Sequence, residues 1–180
     1  MMRFIKKIPL TDKEVTALLL EKGWKKLKEP TSLFLSILLS MPFMFLNALV
    51  FIAFVSLIYP PISQILRGNQ SPLFSVTLNV FSLLYLASIF VFMLAHELVH
   101  ACFIPNAIQS EKTFWGINGF FAFVYTTEVI TKTRFLVISI MPFLMLSIIF
   151  PLILSTLNLL NGWVLMLCLL NAMGRSEERR

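Results

Sequence analysis

Two long stretches without a charged side chain constrain the fold of this chain more than any other feature. Leu33 to Tyr59 carries no charge over 27 positions, and Leu73 to Ala95 carries none over 23. An α-helix of about 20 apolar residues spans the hydrocarbon core of a bilayer. Across all 180 residues, 58% are hydrophobic and 13% are charged, and so small a body cannot bury that much apolar surface. Intrinsic disorder is excluded because it requires high charge and low hydrophobicity. The sequence therefore predicts an integral membrane domain.

The order of apolar and polar segments predicts an all-α integral membrane protein built as a single domain. Thr11 and Glu14 form a capping-box pattern and Gly23 is a helix stop, which predicts a short amphipathic helix on the membrane surface. The Asn118-Gly119 pair indicates a hairpin, with a candidate strand at 121–125. The predicted segments are an amphipathic segment (1–32), four transmembrane helices (33–59, 73–104, 135–157 and 158–173), a loop (60–72), a cytoplasmic hairpin insert (105–134) and a charged tail (174–180).

The placement of the basic residues predicts the orientation in the membrane. Fourteen of the fifteen Lys and Arg residues fall in segments 1–32, 105–134 and 174–180, and the remaining one is Arg67. These charges lie outside the apolar stretches, so we interpret them as an orientation signal and not as a nucleic-acid surface. Cytoplasmic segments carry the excess of positive charge. We therefore expect a multi-pass protein of the cytoplasmic membrane with both termini in the cytoplasm.

A metal-binding pattern, His96-Glu97-Leu98-Val99-His100, closes the second apolar stretch. Residues four apart lie on the same face of a helix, so both imidazoles can hold one Zn²⁺. Glu97 is offset by about 100° and can act as the general base on a zinc-bound water. The chain has only 2 histidines, and both lie in this motif. Ionisable groups at membrane depth are costly, so such a cluster indicates a functional site.

A catalytic zinc of this kind requires a third protein ligand, and the sequence leaves that ligand open. Glu128, which follows the candidate strand, is the leading choice, and Glu111 lies on the same side of the membrane. Cys168 is either a thiolate ligand or a small hydrophobic core residue. Asn171 lies one turn beyond Cys168. It is expected to orient a ligand or to bind substrate, since a neutral amide is a poor zinc ligand.

These features together resemble the zincin-peptidase family of small bacterial integral membrane proteins. The residues that carry the resemblance are Gly23-Trp24, Glu29-Pro30, the His96–His100 motif and Met141-Pro142. The chain is also distantly similar to the site-2 intramembrane metalloproteases, which carry the same motif on one transmembrane helix and an Asp ligand on a later one. The family pattern continues past a segment like Asn171–Gly174 to an acidic residue. Here the chain runs into Arg175–Arg180, so we expect a shortened or frame-shifted tail in which Glu177 or Glu178 is an alternative ligand.

The motif and the resemblance imply a membrane-embedded zinc metallopeptidase, a hydrolase acting on membrane-associated proteins or peptides. It would use one Zn²⁺ held by His96 and His100, with Glu97 activating the zinc-bound water. The candidate strand either offers an edge on which an extended peptide adds or is only a connector. The alternative function is a non-catalytic membrane protein with an incomplete or regulatory metal site that acts through a protein partner. A metal-binding transporter or sensor subunit is a third possibility. In each case the expected partners are the lipid bilayer and proteins, with no nucleic acid.

Overall fold

The computed structural model of the protein describes residues 3–5, 13–23, 33–68, 80–105, 113–118, 121–127 and 130–174. The helices are α1 (Lys13–Glu21), α2 (Leu33–Ile58), α3 (Pro60–Leu66), α4 (Val80–Phe103), α5 (Lys132–Pro142), α6 (Phe150–Thr156) and α7 (Gly162–Met173). The strands are β1 (Arg3–Phe4), β2 (Thr113–Asn118) and β3 (Phe121–Thr126), and a π-helical segment, Phe143–Ile149, joins α5 to α6. The prediction of a mostly helical protein with a small β insert is thus confirmed for the described residues.

Three helices in the described part of the chain are long and apolar enough to cross a membrane. They cover Leu38–Ile58, Val80–Phe103 and Lys132–Thr156, the last being α5, the π-helical segment and α6 taken together. Their outward side chains are large and apolar: Leu57 is 83% exposed and Phe81 is 72% exposed. Soluble proteins rarely expose continuous apolar surface on this scale. The three helices therefore indicate a membrane protein.

The fourth apolar stretch forms a shorter helix than the predicted span at 158–173. α7 has 12 residues and is about 18 Å long, whereas the hydrocarbon core is about 30 Å thick. Asn158 adopts a left-handed φ of 56°, and the Asn161 side chain caps α7 by accepting a hydrogen bond from the Val164 N–H. These turn and cap signals take residues 158–161 out of the helix, so the length of α7 does not by itself establish a fourth crossing.

Two short helices flank α2. α1 is followed by Gly23, which adopts a left-handed φ of 83°, as expected for the glycine that stops a helix. The capping residue Thr11 lies outside the described residues. α3 lies in what the sequence suggested was a loop. Proline is tolerated in the first turn of a helix because its missing N–H has no helical partner there, so Pro60 and Pro61 begin a helix as well as ending α2.

The hairpin predicted in the insert is present and carries an additional strand. β2 and β3 are antiparallel, and β1, which the sequence did not predict, adds to β2 in parallel to give the order β1-β2-β3. The Ile5 N–H donates to the Trp115 carbonyl at 2.9 Å. A Cβ on Gly116 would overlap the Ile5 carbonyl oxygen, so only glycine lets the N-terminal strand approach this closely.

Two apolar clusters hold the helices together. The larger one joins α2 to α7, and its buried members are Phe51, Val55, Leu160, Leu165, Cys168 and Ala172. The smaller one consists of Ile104 and Ile138, with Val124 packed against them, and it joins the end of α4 to α5 and β3. Arg134 Nε donates to the Phe103 carbonyl at 3.3 Å. This bond satisfies one of the carbonyl groups that a helix end leaves without a partner, and it helps to fix the end of α4.

Candidate metal centre

α4 carries the His-Glu-x-x-His motif close to its C-terminal end. His96 and His100 are one turn apart, and their rings meet edge to face with centroids separated by 4.8 Å. His100 is buried, whereas His96 and Glu97 are half-buried. About 24 Å of helix separates Val80 from His96. The motif therefore lies near the C-terminal end of this apolar helix and not at its centre.

The two imidazole rings face each other through their Nε2 atoms. These nitrogens are 3.1 Å apart. On a tetrahedral zinc with Zn–N distances of about 2.0–2.1 Å, two nitrogen ligands are about 3.3–3.4 Å apart. The observed separation thus fits two nitrogens that share one metal ion, with only a small adjustment of the side chains.

The other nitrogen of each ring faces an oxygen that can only accept a hydrogen bond. His96 Nδ1 is 2.7 Å from the side-chain oxygen of Asn171, and His100 Nδ1 is 3.0 Å from the carbonyl oxygen of Ile138. In a neutral imidazole one nitrogen donates and the other accepts, so these contacts favour the Nδ1–H form for two neutral rings. Both Nε2 lone pairs then point at each other, and a cation between them converts this repulsion into attraction. The donor set therefore fits a zinc ion.

The carbonyl of Ile138 is available to His100 because of Pro142. In a regular α-helix the carbonyl of residue 138 accepts from the N–H of residue 142, and proline has no N–H. Both Ile138 and Pro142 are buried on the side of α5 that packs into the protein. A backbone carbonyl is a common second partner for a metal-binding histidine, since it fixes both the tautomer and the orientation of the ring.

Glu97 occupies the position that the motif requires of a general base. It lies in the same turn of α4 as His96, offset by about 100° around the helix axis, and it is half-buried. A carboxylate beside a metal site can take a proton from a nearby water molecule. The structure therefore keeps Glu97 next to the two candidate ligands without placing it in the ligand pair itself.

The predicted third ligands fall mainly outside the described residues. Glu128, Glu111, Glu177 and Glu178 all belong to segments that the structure does not describe. Cys168 is fully buried within the larger apolar cluster, which favours its interpretation as a small hydrophobic residue. Within the described ranges, no three His, Cys, Asp or Glu side chains come together as a metal site. The described part of the chain thus supplies two candidate ligands.

The partners of the two histidines were only partly predictable. Asn171 was expected to orient a ligand or to bind substrate, and its contact with His96 supports the orienting role. Ile138 was missed because a backbone carbonyl leaves no side-chain signature in the sequence. The one signal that could have found it is Pro142, four residues further along the same helix.

Comparison with known protein families gives this geometry a context. Residues 89–177 match the family model described as “Putative zincin peptidase”. This segment includes both histidines, Glu97, Pro142 and Asn171. The zincin match implies a zinc cofactor and suggests a zinc metallopeptidase, in agreement with the facing Nε2 atoms. No curated protein and no solved structure matched the chain.

Proposed function

We propose that the protein is a membrane-embedded zinc metallopeptidase that hydrolyses peptide bonds of membrane-associated proteins or peptides. The observation that carries this proposal is the pair of Nε2 atoms 3.1 Å apart, each on a ring whose Nδ1 faces an acceptor oxygen. The match of residues 89–177 to the zincin model supports it independently. The family resemblance further supports a bacterial origin and a distant relationship to the site-2 intramembrane metalloproteases.

Each residue of the motif has a distinct role in this mechanism. His96 and His100 would hold the metal through Nε2, and Glu128 is the leading candidate for the third ligand. When bound, zinc supplies a Lewis acid that acidifies water and polarises the scissile carbonyl. The Glu97 carboxylate accepts a proton as the oxygen of the attacking water bonds to the carbonyl carbon. Glu97 then gives that proton to the leaving amine as the C–N bond breaks.

We also propose an orientation in which both termini and the hairpin insert face the cytoplasm. The support is the distribution of Lys and Arg, fourteen of which lie in segments 1–32, 105–134 and 174–180. α1 would lie on the cytoplasmic membrane surface, and α7, packed against α2 in the larger apolar cluster, would make the fourth crossing. The metal site would then open near the cytoplasmic face. Reporter domains fused to either terminus should report a cytoplasmic location.

Within this proposal, the substrate would bind in an extended form along β3. In the described part of the sheet, β3 is one of the two outer strands, with β2 as its neighbour. Val124 of β3 packs against the cluster of Ile104 and Ile138 at the end of α4, which places the strand beside the motif helix. An extended peptide can add to such an edge through main-chain hydrogen bonds.

The proposal is tested by metal content and cleavage measured on the same preparations. The chain would be purified in mild detergent, analysed for zinc, and incubated with a casein-like substrate. We expect about one zinc per chain in the wild type and its loss in His96→Ala. Glu97→Gln should keep the metal and lose cleavage by at least about 10²-fold. Glu21→Gln, a matched change on the exposed end of α1, should alter neither. Full cleavage by Glu97→Gln would reject the mechanism.

A second candidate function is a non-catalytic membrane protein whose metal site regulates binding to a protein partner. The observation in its favour is that the described residues bring together only two ligands. The presence of Glu97 argues against it, since a purely structural site has no need of a base. Stoichiometric zinc without cleavage of any tested membrane peptide, in the wild type as in Glu97→Gln, would favour this second function.

A further inference from the structure

Asn171 connects the candidate ligand His96 to the helix formed by α5, the π-helical segment and α6, on the opposite side of the site. It lies on α7 and is 9% exposed. Its side-chain oxygen is 2.7 Å from His96 Nδ1. Its side-chain nitrogen donates to the Pro142 carbonyl at 3.2 Å and to Ser147 Oγ at 2.8 Å. The amide thus spans the distance between α4 and the helix that contains Pro142.

These contacts determine which way the Asn171 amide points. The Pro142 carbonyl can only accept a hydrogen bond, so the group that faces it must be the NH₂ of the amide. The amide oxygen must then face His96, and because this oxygen can only accept, the hydrogen of a neutral His96 lies on Nδ1. Nε2 of His96 is left with its lone pair directed towards His100, which is the form that binds a metal.

Ser147 fixes Asn171 in turn. Its side chain is fully buried; its hydroxyl accepts from Asn171 and donates to the Cys168 carbonyl of α7 at 2.9 Å. Ser147 belongs to the π-helical segment. Pro151, four residues later, has no N–H to give to the Ser147 carbonyl, and its ring would collide with that carbonyl in a regular helix. Departures of this kind from α-helical geometry are frequent at functional sites.

We infer that Asn171 is a positioning residue for the metal ligand His96, and that Ser147 holds Asn171 in the orientation required. His100 is oriented separately, through the Ile138 carbonyl. The two histidines therefore have different supports, one from a side chain on α7 and one from the backbone of α5. The inference rests on the proposed metal site, but its central claim, the tautomer of His96, can be measured without metal.

The tautomer is measured by NMR on the full chain in detergent, labelled with ¹⁵N only at histidine. The chain has 2 histidines, so each signal is assigned by replacing the other residue with glutamine. At a pH where both rings are neutral and without metal, wild-type His96 should carry its hydrogen on Nδ1. In Asn171→Leu, His96 should move towards the Nε2–H form, while His100 should keep its Nδ1–H form and serve as the internal control.

Conservative variants separate positioning from a general effect on folding. Asn171→Asp keeps an acceptor for His96 Nδ1 and should retain the Nδ1–H form. Ser147→Ala should shift His96 in the same direction as Asn171→Leu, but less. Ser155→Ala is the matched control, because Ser155 lies further along the same span and donates to the Ile58 carbonyl at 3.0 Å, away from Asn171. It should leave both histidine spectra unchanged.

Zinc affinity, measured by competition with a chelator, provides the second readout. Loss of a residue that hydrogen-bonds to a metal-binding histidine typically weakens metal binding by about 10–100-fold. We expect a loss of this size for Asn171→Leu, and an affinity closer to the wild type for Asn171→Asp. The inference is overturned if wild-type His96 carries its hydrogen on Nε2, or if Asn171→Leu changes neither the tautomer nor the affinity. If the wild type binds no zinc but Asn171→Leu still changes the tautomer, the proposed function fails, whereas the claim that Asn171 fixes the His96 tautomer stands.

Discussion

The pairing of β1 with β2 leads to a quantitative prediction at Gly116. A Cβ on this residue would overlap the Ile5 carbonyl oxygen and would lie 2.6 Å from Cζ of Phe123. The Phe123 ring can rotate away, but the Ile5 oxygen belongs to the backbone of the paired segment. That segment has to leave for the new methyl group to fit. Gly116→Ala should therefore detach residues 3–5 from the sheet.

The size of the effect follows from the contacts that would be lost. The Ile5 N–H donates to the Trp115 carbonyl at 2.9 Å, and the Phe4 and Trp115 rings meet edge to face with centroids 5.0 Å apart. A net hydrogen bond contributes about 1 kcal/mol, and an aromatic pair contributes about 1 kcal/mol more. The ladder bonds between β1 and β2 add to these two contacts. Opening this segment thus costs at least about 2 kcal/mol, which corresponds to at least about 30-fold slower amide exchange at Ile5.

Hydrogen–deuterium exchange of the N-terminal peptide, followed by mass spectrometry in detergent, measures this protection. Wild-type Ile5 should show at least about 30-fold protection, and Gly116→Ala should show almost none. Phe4→Ala serves as a graded control, because it removes the ring contact but leaves the space at Gly116, and it should lower the protection by about fivefold. If Ile5 in Gly116→Ala is as protected as in the wild type, the steric reasoning is wrong.

Three further predictions concern the proposed metal site and the helices around it. Cys168→Ala should leave zinc content unchanged in elemental analysis, because Cys168 lies in an apolar cluster; loss of the metal would restore the thiolate as a ligand. Arg134→Met removes the donor to the Phe103 carbonyl. It should lower the free energy of unfolding, measured by denaturant titration, by about 0.5–1 kcal/mol. No change would mean that this bond contributes nothing. Pro142→Ala supplies an N–H that competes with His100 for the Ile138 carbonyl. Zinc binding should therefore weaken by up to about tenfold in a chelator titration. An unchanged Kd would show that the carbonyl accepts from both His100 and the new N–H.

The sequence predicted those parts of the fold that depend on neighbouring residues. Uncharged apolar stretches marked the spans, Asn118 marked the hairpin, and Gly23 marked the end of α1, since each of these signals acts over a few residues. β1 could not be predicted, because it consists of Arg3 and Phe4 and exists only through its pairing with Phe114 and Trp115. More than a hundred residues separate the two partners, and no local pattern encodes such a contact.

In the candidate site, too, local features could be predicted and contacts between distant segments could not. The spacing of His96 and His100 on a helix was sufficient to predict that their rings converge, because one helical turn brings them to the same face. Their Nδ1 partners come from α5 and α7, and they depend on how the spans pack. Asn171 could be considered from the sequence because it lies one turn beyond Cys168 in the fourth apolar stretch, whereas Ile138 acts through its backbone and offers no such signal.

The helix that contains Pro142 illustrates how an irregular helix can serve the proposed metal site. Inside a bilayer, backbone carbonyls are satisfied mainly within their own helix, so a regular α-helix beside α4 would offer a histidine only carbonyls that already have a helical donor. Pro142 leaves the Ile138 carbonyl without its helical donor, and this carbonyl holds His100. The π-helical segment that follows presents Ser147 to Asn171, which holds the other histidine. In the proposed site, Pro142 therefore supplies His100 with an acceptor that a regular helix would have to share with its own N–H.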